Sequence, residues 1–244
     1  MRSGNPVLTD STFEALPISA RAMTVRGVVG RTFFLLILVA ASAALSWSWA
    51  SQDASFAMPG AMGGALGGFA VGLLTSFRPA WSRFLAPCYA LLEGLFIGAI
   101  SVFLERRFPG IVFQAVCLTF SVMFALLAGY QAGIIRVSQT FRSVVTTATL
   151  GIVFLYLGNM VFSLFTHHGF SLIEGSGPLS IGFSLIVAGI AALNLVLDFD
   201  FISQGVQARA PRWMEWYGAF ALIVTLVWLY VEILRLLSKL RRSS

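Results

Sequence analysis

Seven apolar runs, each close to the ~20 residues that carry a helix across a bilayer, restrict this chain more than any other feature of its sequence. They read Thr32–Ala50, Met58–Phe77, Phe84–Leu104, Ile111–Tyr130, Val144–Phe165, Pro178–Ile202 and Trp216–Leu237. A backbone in lipid must satisfy its polar groups internally, so runs of this length fold as helices. Pro79, Pro109 with Gly110, Gly175 to Pro178, and Pro211 punctuate the breaks. Trp47, Trp49, Trp81, Trp213, Trp216 and Tyr217 fall at run ends, where amphipathic rings favour the interface. The fold class that follows is an all-α integral membrane protein, a seven-transmembrane-helix bundle. Residues 1–30 read as a polar N-terminal tail with room for one short interfacial helix, and residues 31–240 as the transmembrane domain. The polar stretch before the first run is too long for a signal peptide, so that run is expected to remain a span.

Charge supports the same class. Of the 244 residues 58% are hydrophobic and 11% charged, where soluble domains carry roughly 25% charged. A net charge of +6 does not point to nucleic acid, because no basic face with interleaved aromatics exists on a soluble domain. The cations sit between apolar runs and are suited to gripping anionic headgroups. Ten of them flank the spans on the N-terminal side of the membrane and six on the other, which places the N-terminus in the cytoplasm although the C-terminal tail is also basic. Cys88 and Cys117 lie inside apolar runs and read as small buried hydrophobes, not as a disulfide or a metal site.

The second span carries Gly60, Gly64, Gly68 and Gly72, a ladder four residues apart that lays a smooth groove along one helix face. Such a groove lets a neighbouring backbone approach closely.

Ionisable residues inside a bilayer are costly, about +2.5–3.5 kcal/mol for an Asp at a helix centre. Glu93 in span three, Asp198 and Asp200 late in span six, and Glu232 in span seven are therefore the functional candidates. Asp198 shares a helix face with Asn194 and Ile202, while Asp200 shares one with Val196 and Gln204. Glu232 has Arg235 three residues on, within reach of an intrahelical ion pair, and such a pair should keep span seven enclosed. Glu93 would hydrogen-bond a neighbouring helix, with Asn194 and Arg235 as further polar groups of the pore or the packing. Two carboxylates brought together in low dielectric cannot both ionise readily, so a proton shared by spans six and seven would make a pH switch. Asp198 and Asp200 could also attract a Ca²⁺ ion, which prefers oxygen ligands.

These residues carry a resemblance. Leu197-Asp198-Phe199-Asp200-Phe201-Ile202, followed by Gln204 and Gly205, resembles the span-six motif of the Bax inhibitor-1 (transmembrane Bax inhibitor motif) family, in its bacterial branch. Leu229-Tyr230-Val231-Glu232-Ile233 resembles the family's span-seven motif, with Glu where Asp is usual, and Tyr89 to Leu95 resembles its third helix. The resemblance implies seven helices around a central seventh, with Asp198 and Glu232 as the pH-sensing pair of a calcium leak in a bacterial inner or plasma membrane. The ions involved would be Ca²⁺ and protons. Asp200 is an extra acid beside that pair. Equal depth for Asp198 and Glu232 would centre the turn at residue 215, yet Pro211 and the run from Trp216 put it near 210, an offset of about 10 Å or more.

The alternative is a non-transporting membrane protein that regulates another complex, such as a membrane-anchored quality-control protease. Enzyme readings fare worse. No H-E-x-x-H motif exists, His167 and His168 are adjacent in a loop, and Trp228 to Glu232 lacks the Gly-x-Gly-Asp of intramembrane aspartyl proteases. No catalytic residue and no cofactor are assigned. Coupled transporters are built on internal repeats, and none is discernible.

Overall fold

The computed structural model describes residues 22–166 and 168–243. Most of the polar tail, with its interfacial helix, lies outside the described residues. Seven helices are long and apolar enough to cross a membrane. They are α1 (Val25–Gln52), α2 (Ala54–Phe77), α3 (Ser82–Arg107), α4 (Ile111–Gln131), α5 (Gln139–Thr166), α6 (Pro178–Gln207) and α7 (Met214–Ser243). No strand occurs among the described residues; the only β-type pairing is one antiparallel bridge between Ala22 and Pro211.

The helices begin and end where local chemistry stops the backbone ladder. Thr24 caps α1, its hydroxyl accepting from the Gly27 amide at 3.0 Å. The helix therefore starts at Val25 and not at Thr32, because hydrogen bonding continues through Arg26 and Arg31 beyond the apolar run. Asp53 alone separates α1 from α2. Its amide closes α1 on the Trp49 carbonyl, and its carboxylate accepts from the Ser55 amide at 2.9 Å to open α2. Hydrogen bonding from the Ser55 side chain, and then from its amide, holds the exposed carboxyl below its ordinary range. Glu105 opens α4 in the same manner, accepting from the amides of Gly110 and Val112 at 2.6 and 3.1 Å. Gly110 (φ 83°) turns the chain there in a conformation that L side chains resist.

Helix α7 is the centre of the bundle. Tyr217, Phe220, Ile223, Leu229 and Leu234 are among its fully buried side chains, and it packs on α1, α3, α4 and α6. By contrast α5 packs chiefly on α6, and its outward residues Phe154, Leu164 and Phe165 face the space a bilayer would fill.

The expected glycine groove exists, and α3 fills it. A Cβ on Gly64 would stand 2.6 Å from the Phe96 amide nitrogen and 2.7 Å from the Leu92 carbonyl. The opposite side of α3 meets α1 as closely: a Cβ on Gly94 would lie 2.6 Å from the Val39 carbonyl oxygen. Ser42 and Ser46 of α1 donate to the Leu91 and Leu95 carbonyls at 2.6 and 2.7 Å. Helices α1, α2 and α3 thus form one backbone-close slab. Cys88 and Cys117 are free and exposed on the bundle's outside, which corrects their reading as buried: their helices turn those faces away from neighbouring spans.

Candidate functional site

The polar residues within the bundle do not gather at one point. They form a ladder between α5, α6 and α7. On α5 the rungs are Arg142, Thr149 and Tyr156, spaced seven residues apart and hence on one face.

The first rung is Arg142, whose Nη2 lies 2.6 Å from Asp200 Oδ2. Gln204, one turn along α6, donates to the same oxygen at 2.6 Å, and the Tyr130 hydroxyl of α4 donates to Oδ1 at 3.2 Å. Asp200 is therefore bound into the protein by three side chains, and not a solvated helix end. At the second rung, Asn194 donates from Nδ2 to the Thr149 hydroxyl and to the Ile190 carbonyl, each at 2.8 Å. Asp198, fully enclosed at 0% exposure, lies on α6 between these two rungs.

The third rung is Tyr156. Its hydroxyl donates to Glu232 Oε1 at 2.9 Å and accepts from Arg235, whose guanidinium also stands 4.9 Å from the Tyr156 ring centroid. Arg235 bonds both oxygens of Glu232, at 3.2 and 3.3 Å, so the intrahelical pair expected from spacing is present, with a tyrosine added. Beyond it, Lys239 of α7 is buried and donates to the hydroxyls of Ser180 and Ser184, both at 2.8 Å.

Asp198 and Glu232 stand apart. A Cβ on Gly218 would be 3.3 Å from Ile202 Cγ1, and the rings of Phe201 and Tyr217 lie 6.4 Å apart. With Lys239 against Ser180 and Ser184, these contacts fix an antiparallel register centred on residue 210. Asp198 is then level with Leu222, and Glu232 with Ala188, about 15 Å along the bundle. The pair proposed to share a proton is thus separated by the register, and each acid meets different groups. From Asp200 to the level of Lys239 the ladder runs about 28 Å, close to the roughly 30 Å of a hydrocarbon core.

Glu93 lies off the ladder. It is 8% exposed and occupies the space left by Gly68 of α2, where a Cβ would be 2.7 Å from its Oε1. No group of three His, Cys, Asp or Glu side chains that could hold a metal ion occurs among the described residues. Asp200 spends its oxygens on Arg142, Gln204 and Tyr130, so Asp198 and Asp200 do not make a built Ca²⁺ site.

Two residues read as belonging to tail or loop prove to be interior. One is Lys239; its place four residues after Arg235 and seven after Glu232 was the signal for a shared face. The other is Glu215, 1% exposed at the first turn of α7. It accepts from the amide and hydroxyl of Thr24 at 3.0 and 2.9 Å and is ion-paired with Arg31. A side chain at Gly27 would collide with its carboxylate. Nothing in the sequence around Glu215 sets it apart from a solvated loop acid.

The opposite face of α7 is apolar along Leu226, Val227 and Tyr230, and its charge, Arg241, sits at the helix end on Pro109 and Gln114. There Leu226, Val227 and Tyr230, with α1, α3 and α4, line an apolar cavity of about 620 Å³, its polar groups including the Ser101–Tyr230 hydroxyl pair at 2.8 Å. The ladder face offers bonded polar groups at successive depths, from Asp200 to Lys239.

A family model described as Bax inhibitor 1 like matches residues 5–242, nearly the whole chain. No curated protein and no solved structure matches it.

Proposed function

Because the chain belongs to the Bax inhibitor 1 like family, we propose that it is a pH-sensitive cation leak whose transported ion is Ca²⁺ and whose path follows the ladder between α5, α6 and α7. The observation that carries this reading is the continuous run of buried and half-buried polar rungs, from Asp200 and Arg142 through Asn194 and Thr149 to Glu232, Tyr156 and Arg235. Intramembrane ionisable residues are expensive, and an inert bundle has no need of so many along one line.

The ion pairs supply the gate. With Asp200 ionised, its charge holds Arg142 and so ties α5 to α6, with Tyr130 of α4 and Gln204 bound to the same carboxylate. With Glu232 ionised, Arg235 and Tyr156 are held together, which ties α5 to α7; Lys239 stands two turns further on. Neutralising Glu232 by protonation, or either carboxyl by substitution, removes the charge that restrains its guanidinium, and α5 loosens from the ladder. Flux should therefore rise as pH falls. Asp198 is enclosed between the first two rungs, so a cation that follows them passes its carboxyl.

Purified protein in liposomes tests this reading through Ca²⁺ uptake between about pH 6 and 8, the range around the cell's own pH. Asp200→Asn and Glu232→Gln should each raise uptake at the upper end of the range, Glu232→Gln should also flatten its pH dependence, and Asp198→Asn should lower uptake throughout. Protein that passes no Ca²⁺ at any pH would end the leak reading in favour of a non-transporting regulator, such as one acting on a membrane protease.

A further inference from the structure

Lys239 is the chain's single lysine, and the structure places it where a lysine is costly. The residue is 3% exposed, and its Nζ is surrounded by three oxygens from α6: Ser180 Oγ at 2.8 Å, Ser184 Oγ at 2.8 Å and the Ser180 carbonyl at 3.3 Å. Ion pairs among the described residues join Glu215, Asp200 and Glu232 to arginines, whereas the hydrogen bonds of Lys239 go to neutral oxygens. Glu232, two turns away on the same helix face, is committed to Arg235 and Tyr156. A buried ammonium held by neutral oxygens alone is unusual, because burying a charge is ordinarily offset by a paired counter-charge. Snorkelling to the headgroups, as lysines near span ends do, would have cost less, and Arg242 nearby is exposed in that way.

Three convergent oxygens without a carboxylate are also what a weakly held, dehydrated cation requires. The two hydroxyls and the carbonyl therefore describe a cation site at the end of the ladder remote from Asp200, with the protein's own ammonium inside it. We propose that Ser180 and Ser184 form a cation-binding site in the path and that Lys239 is its tethered occupant, which blocks passage until the side chain is displaced. The inference rests on the leak reading above and adds a second barrier to it, independent of the carboxylate pairs. Hydroxyl and carbonyl ligands without a carboxylate suit a monovalent cation in transit as well as Ca²⁺, so a vacated site should pass both.

Ca²⁺ and K⁺ uptake into liposomes containing the full chain tests it, with folding monitored by the melting temperature in detergent. Lys239→Met should raise the flux of both ions on the order of tenfold or more, as expected when one unit charge a few ångströms from a permeating cation is removed. Lys239→Arg, which keeps the charge, should stay near the wild-type rate. Should Lys239→Met fail to fold, Ser180→Ala with Ser184→Ala loosens the ammonium while leaving its charge, and should raise flux several-fold. A wild-type protein that leaks, beside a folded Lys239→Met or double serine variant leaking at the same rate, overturns the tethered occupant and leaves the leak standing. No flux from wild type or from any variant overturns both.

Discussion

Single residues decide where this bundle is vulnerable, and Glu215 is the clearest case. Its carboxylate is at once the cap of α1, through Thr24, and the partner of Arg31, which also stacks on Trp216 at 5.3 Å. Glu215→Ala strands a half-buried guanidinium and leaves the capping Thr24 without its anchor, and breaking a buried pair in this way costs about 3–5 kcal/mol. The melting temperature in detergent should fall sharply, whereas Glu174→Ala, in the loop before α6, should leave it nearly unchanged. Equal melting of the two variants would remove Glu215 from any structural role. Tyr156→Phe is a finer test. It keeps the ring under Arg235 and deletes the hydroxyl that bridges Arg235 to Glu232, which should cost about 1–3 kcal/mol for the buried partners left short of a bond.

At the scale of helices, the slab of α1, α2 and α3 depends on positions where no side chain fits. Gly64→Leu drives a side chain into the backbone of α3, and Gly94→Leu into α1, each costing at least about 1–3 kcal/mol. Gly63→Leu is the matched control, since a Cβ there meets nothing within 4 Å. Thermal melting of the three variants separates packing from mere hydrophobicity. The α2 ladder could be read from sequence because four glycines in register are hard to produce for any other reason. Gly94 could not, being one glycine in an apolar run whose partner lies fifty residues away. Span existence was likewise readable, for lipid demands about 20 apolar residues, but span ends were not. Hydrogen bonding carries α1 back to Val25 and α7 on to Ser243, well past the apolar stretch. The acids stood out by their cost in a membrane. Their partners did not, because Arg142 and Tyr156 acquire meaning only once the register of α5, α6 and α7 is fixed.

For the molecule as a whole, that register is the testable statement. Cysteines introduced at Asp198 and Leu222, in a background with Cys88 and Cys117 replaced by Ser, should be joined by a short crosslinker, and cysteines at Asp198 and Glu232 should not. Crosslinking of the second pair alone would return the two acids to one depth and restore the shared-proton switch. A further consequence concerns how α5 is attached. Interlocked apolar side chains slide by degrees, but directional bonds from Arg142, Thr149 and Tyr156 are either made or lost within a fraction of an ångström. A helix fastened by three such bonds has few resting places between docked and released. Its movement should be stepwise in time, with abrupt changes of state and little dwell in between.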